Sequence, residues 1–177
     1  MLRLVLTLFV FVIFAGRPAA ADLPLPRSIV EAGLKDPECT LSFEEATEDL
    51  EEPDDLGEGK KLLEVPCWRA AYQTGSIFFV FDPANPDQAK QIEFRHWKGA
   101  TFEERRQISS PSFDPEKKRI TSFHKGRGLG DCGSSGAWVW NGSDFELEAY
   151  WLKNDCNGKR FNPEGEPTKW KVFPKTR

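Results

Sequence analysis

The chain has 177 residues, with 28 acidic side chains against 24 basic ones and a formal net charge of −4. A surface this acidic excludes general nucleic-acid binding, which depends on Lys and Arg neutralising phosphates. The length fits one domain large enough to bury a core of its own.

The first segment, MLRLVLTLFVFVIFAGRPAAAD, places Arg3 before an apolar run from Leu4 to Ala15, then Ala19, Ala20 and Ala21 ahead of Asp22. This is the pattern of a secretory signal peptide over residues 1–21. At about 1.5 Å per residue, an apolar run of about twelve residues falls short of about 30 Å of hydrocarbon. Removing residues 1–21 takes away Arg3 and Arg17, leaving 22 basic against 28 acidic residues and a net charge of −6. No second long apolar run follows, so no stable membrane insertion is expected after signal removal. The localisation that this predicts is periplasmic or secreted.

Residues 22–59 are expected to form a helical and acidic segment packed with a β-rich domain over 60–177. Ser28 with Glu31, and Ser42 with Glu45, each have capping-box spacing and open one short helix apiece. Pro53 is expected to end the second helix. Between Glu44 and Glu58 stand nine acidic residues and no basic one. They read as a solvated face and loop, or as a cation site or docking surface for a basic partner. No calcium-loop ladder of the D-x-D-x-D-G kind is present.

From Lys60 onward the text becomes short apolar runs: LLEVPCW, SIFFVFD, QIEFRHW, RRQISS, RITSFHK, GAWVWN, FELEAYWL and TKWKVF. Eight strands at this spacing predict a mainly β, antiparallel sandwich or barrel-like domain with one or two short N-terminal helices. Phe81-Asp82-Pro83 and Phe113-Asp114-Pro115 each close a strand with a turn, and Asn141-Gly142 marks a hairpin corner. RHWKGATFEERR reads as an exposed hairpin.

Cys39, Cys67, Cys132 and Cys156 are an even set in a chain expected to be exported, so pairing is the default. Three connectivities are open. Cys39 with Cys67, and Cys132 with Cys156, are favoured because each pair flanks one apparent unit. There is no C-x-x-C and no histidine at finger spacing, so no metal and no cofactor are expected.

Gly128-Leu129-Gly130-Asp131-Cys132-Gly133 has the G-x-G-x-x-G spacing of a dinucleotide loop. That loop must open a helix, whereas AWVW and Asn-Gly follow here, which is strand and hairpin text. The glycines are therefore read as bent main chain beside a disulfide. Lys125, Arg127 and Asp131 on this corner are the candidate binding edge, unless Arg127 and Asp131 pair to hold it. His124 and Asp131 are weak catalytic candidates, with no G-x-S-x-G elbow beside them. Trp138 and Trp140 point to one face of a strand, either core or an aromatic platform for sugar or protein.

The stretches VPCWRAAY (65–72), FDPEKKRITSF (113–123), KGRGLGDCG (125–133) and WVWNGSDFEL (138–147), followed by Cys156, closely resemble the proteobacterial family catalogued as domain of unknown function 1176. The resemblance covers the chain from Cys39 onward and departs at Ala70, where a glycine is expected. It implies an exported protein of the bacterial envelope and carries over no activity. The leading expectation is a non-catalytic binding or inhibitor-like module whose partner is an envelope protein or glycan. The alternatives are an envelope glycan or peptide hydrolase using His124 and a carboxylate, and a structural envelope protein. Oligomeric state is not legible.

Overall fold

The computed structural model describes residues 26–166 and 169–173. The expected signal peptide, 1–21, lies outside the described residues. Two helices, α1 (Arg27–Gly33) and α2 (Phe43–Glu48), precede the strands. These are β1 (Asp54–Gly57), β2 (Lys60–Ala70), β3 (Gln73–Phe81), β4 (Lys90–Gln91), β5 (Phe94–Lys98) and β6 (Thr101–Arg105). There follow β7 (Gln107–Ser109), β8 (Ser112–Asp114), β9 (Arg119–Lys125), β10 (Gly133–Trp140), β11 (Phe145–Lys153) and β12 (Lys171–Phe173).

One sheet runs β1-β2-β3-β4, with β7 sharing an edge of β3; the second runs β12-β11-β10-β9-β8. All these pairings are antiparallel. The main core lies between the sheets: Leu62, Phe78, Val80 and Ile108 of the first meet Ile120, Trp138, Phe145 and Tyr150 of the second. The mainly β, disulfide-stapled fold expected from the short apolar runs is thus present, in its sandwich form.

Both sheets are also covered on their outer faces. In β3 the alternation sends Phe78 and Val80 to the inter-sheet core, while Ile77, Phe79 and Phe81 pack against Ile29 and Val30 of α1. A strand covered on both sides needs apolar residues at successive positions, which is why SIFFVF reads as an unbroken run. On the second sheet, Ala137, Ala149 and Trp151 are covered by Phe161, with Phe123 and Trp170 beside them. The hairpin of β5 and β6 stands apart from both sheets. Its Phe94 is fully buried and meets Trp138 edge-on, with ring centroids 5.0 Å apart, so this hairpin is anchored by its first residue.

Local chemistry explains where several elements differ from their expected form. At α2 the capping box forms as expected, with Ser42 N–H donating to Glu45 at 2.8 Å and Glu45 N–H to Ser42 Oγ at 3.2 Å. At α1 it does not: Pro26 is the N-cap, and Glu31 is taken by Arg27 at 2.7 Å. Helix α2 ends at Glu48, before Pro53, because Arg69 Nη2 takes the Glu45 carbonyl at 3.0 Å and Leu50 turns back onto the first sheet. QIEFRHW is split into β4 and β5, since Ile92 and Phe94 both enter the core. Part of the acidic segment pairs as β1, pulled in by the fully buried Leu56.

Candidate functional site

The glycine-rich corner is a clamp. Past Gly133 the chain enters β10, a strand rather than the helix that a phosphate-binding loop requires. Gly133 has φ +140°, and a Cβ there would sit 2.0 Å from the His124 carbonyl oxygen. Cys132 is joined to Cys156, and Cys39 to Cys67. Arg127 Nε donates to Asp131 Oδ1 at 2.7 Å, and its Nη2 also reaches the Cys156 carbonyl at 2.9 Å. The Asp131 side chain is 3% exposed and accepts from Gly158 N–H at 2.6 Å. Its bond to Arg127 is the leading cause holding its carboxyl well below the usual range. Lys125 Nζ is spent on the Tyr72 carbonyl at 2.9 Å. The charges read as a binding edge are therefore engaged within the corner.

A buried cation completes the clamp. Lys153 is 3% exposed. Its ammonium donates to the Asp131 carbonyl, the Asp155 carbonyl at 2.6 Å, Asn157 Oδ1 at 3.0 Å and the Lys159 carbonyl at 3.1 Å. Such a charge is tolerated because acceptors surround it.

The two candidate tryptophans belong to the core. Trp138 is fully buried, and Trp140 packs against the same cluster while its ring meets Lys60. The aromatic-platform reading is corrected for Trp138, whose indole folds over Gly136, where a Cβ would stand 2.1 Å from the ring.

His124 and Asp131 are not brought together. By the register of β9 against β10, His124 pairs with Ser134 and lies on the same face as Ile120 and Trp138, toward the other sheet. Asp131 instead lines a hollow on the outer face with Phe123, Lys125 and Ser135. A hydrolase built on that pair lacks its geometry.

What His124 joins is a cleft of about 660 Å³ at one end of the sandwich. Trp68 and Arg69 come from β2, Gln107 and Ser109 from β7, His124 from β9, Ser134 from β10 and Tyr150 from β11. The hairpin brings His96, Trp97 and Arg105, and Glu38 closes the rim from the segment before Cys39. The cleft thus gathers both histidines of the chain.

Each wall has a local cause. In β2 a bulge between Pro66 and Trp68 interrupts the register with β3. It turns the Cys67 carbonyl toward Thr40 and Leu41, whose N–H groups donate to it at 2.9 and 3.1 Å. The Trp68 indole then lies across Gly75, where a Cβ would come within 2.1 Å of the ring. Trp68 donates its indole N–H to Gln107, and Gln107 donates onward to Glu38.

Burial and the nearby Arg105 set the electrostatics of the cleft. His96 packs near Trp138 and Tyr150, with centroids 5.4 and 5.8 Å away, and its Nδ1 lies 3.2 Å from the Phe94 carbonyl. Burial pushes its pKa down to about 4, with Arg105 adding to the effect. The His124 value is lowered by burial and then by Arg105. Burial raises the Tyr150 phenol, against hydrogen bonds from Ser134 and the Trp97 backbone. Arg105 therefore acts on three groups at once. Its Nε and Nη2 are tied to Glu103 at 3.0 and 2.9 Å.

Of this cleft, only His124 stands out in the sequence as a candidate. His96, Trp97 and Arg105 are visible in RHWKGATFEERR, and Trp68 in VPCW, but their convergence depends on packing between strands far apart in the chain. Paired histidine content is the one signal that could have suggested a shared site.

Among solved structures there is no significant match. One curated relative, the uncharacterized protein YpfG of Escherichia coli (strain K12), is 25% identical over 116 residues, covering 65% of this chain and 33% of the relative. The chain therefore spans about a third of the length of that relative. The family model described as protein of unknown function (DUF1176) matches residues 18–173, spanning both disulfides, the clamp and every wall of the cleft. The chain belongs to this family.

Proposed function

We propose that this is an exported, non-catalytic binding module whose recognition site is the cleft between the sheets. One observation carries the reading: Trp68, Trp97, Tyr150, both histidines and Arg105 converge on a single hollow of a size common for small-ligand sites. Export is supported by two disulfides together with the signal-like segment at residues 1–21.

A hydrolytic reading has one observation in its favour, the 3.0 Å contact between Ser109 Oγ and His124 Nδ1. The charge acting on that imidazole is the cation of Arg105. A serine nucleophile needs its histidine to become an imidazolium, normally steadied by a carboxylate. A nearby cation works against that step, so binding is favoured over catalysis. The test is affinity capture from periplasmic extract with the oxidised protein, beside a His124→Gln variant. Retention of a component by the parent and its loss from the variant are expected; turnover of peptidoglycan or peptide substrates that disappears in the variant would overturn the reading.

A further inference from the structure

We propose that the cleft is a receptor for an acidic sugar, a hydroxylated ring bearing a carboxylate, with Arg105 meeting the acid group and Trp68 and Trp97 flanking the ring. This rests on the binding-module reading and specifies its ligand.

Hydrogen-bond donors crowd the hollow. Ser109, Ser134, Tyr150, His96 and His124 all line the hollow with Arg69 and Arg105. Arg69 is engaged by Asp49, and Glu103 holds Arg105 from one side through Nε and Nη2. Arg105 Nη1 has no hydrogen-bond partner among the described residues, and it belongs to a planar fork suited to a carboxylate. The one acid lining the cleft, Glu38, already accepts from Gln107. Both imidazoles are held toward their neutral form, and Arg105, although paired with Glu103 through Nε and Nη2, keeps Nη1 for a further acceptor. An entering carboxylate would accept from that donor.

Flat apolar surface stands beside these donors. Trp68 and Trp97 are partly buried rather than sealed in the core, and both line the cleft. An indole offers flat apolar surface to the C–H face of a pyranose while leaving the hydroxyls to polar neighbours. Ser109, Ser134 and Thr40 stand around them to pair with such hydroxyls. A simple inorganic anion would leave both indoles unused.

The experiment is calorimetric titration of the oxidised full chain with three probes: N-acetylmuramate, N-acetylglucosamine and inorganic phosphate. The first two share a ring and differ in a lactyl carboxylate. N-acetylmuramate is expected to bind about tenfold or more tightly than N-acetylglucosamine, in line with a charge-assisted contact. Arg105→Gln should remove that preference, and Trp68→Phe should weaken both sugars together. Circular dichroism of each variant checks folding, and Arg105→Met replaces Arg105→Gln if the latter does not fold. Equal affinity for the two sugars would overturn the acidic-sugar assignment, as would phosphate binding as tightly as N-acetylmuramate. If no probe binds while envelope capture succeeds, this inference fails and the binding module stands; if capture fails as well, both fall.

Discussion

Ser109 of β7 and His124 of β9 meet across the mouth of the cleft, Oγ to Nδ1 at 3.0 Å, although their strands belong to different sheets. The contact latches the open end of the sandwich, where the tightly packed core gives way to polar side chains. Ser109→Ala removes it without creating a large cavity. A destabilisation of about 1 kcal/mol is expected, in the range of a single hydrogen bond, measured by urea unfolding.

Acid should weaken the fold through a buried histidine. His96 is neutral in the folded cleft, its pKa lowered to about 4 by burial first, whereas in the unfolded chain it takes a proton near pH 6.5. Between those values the unfolded state binds more protons, so stability falls as pH falls. The groups acting on His96 besides burial are Arg105, Glu103 and His124, with the Phe94 carbonyl favouring its protonation. The loss from pH 7 to pH 4 should be roughly 3 kcal/mol. Unfolding titrations of His96→Gln should show a flatter profile between pH 6.5 and 5; an unchanged slope would locate the effect elsewhere.

Two glycines separate close approach from backbone conformation. Gly133 has φ +140°, and a Cβ added to it would lie 2.0 Å from the His124 carbonyl oxygen, whereas Gly142 has φ +101° and nothing within 4 Å. Gly142→Ala should cost about 1 kcal/mol through strain alone. Gly133→Ala adds a collision with main chain that also disturbs the β9–β10 register. It is expected to cost several-fold more, or to abolish accumulation of folded protein, as judged by thermal unfolding.

The clamp predicts that Arg127 is structural. Arg127→Ala leaves the Asp131 carboxylate, 3% exposed, with Gly158 N–H but without its cation. The melting temperature should fall clearly, while titration of the cleft with N-acetylmuramate remains unaltered, because Asp131 and the cleft occupy opposite faces of the second sheet. A loss of affinity without loss of stability would instead place the binding edge at this corner.

Each disulfide should contribute roughly 3 kcal/mol, since the bridged residues are 28 and 24 apart. Their loss should differ in kind. Replacing Cys39 and Cys67 by serine releases α1 and α2 from β2 and exposes the helical face of the first sheet. Replacing Cys132 and Cys156 loosens the corner around Lys153. Hydrogen exchange should report each release in its own layer.

Features that depend only on neighbours along the chain could be read from the residues in order. Alternating and unbroken apolar runs specify strands, because side chains of a strand point to opposite faces whatever the fold. Asp82, Asp114 and Asn141 specify turns by accepting from main-chain N–H groups two or three residues on. The mainly β antiparallel class was legible for these reasons, with sandwich and barrel both open. Tertiary structure decided the rest. Glu31 could cap α1 or pair with Arg27, two local options of similar strength, and the observed choice leaves Pro26 at the helix start. The sequence could not say whether Asp131 serves a ligand or a clamp, since Lys153 and Gly158 reach it only after β11 returns beside β10. The cleft lay furthest from view. Its walls come from both sheets and a hairpin, and the charge and burial that define their chemistry arise only when those layers close.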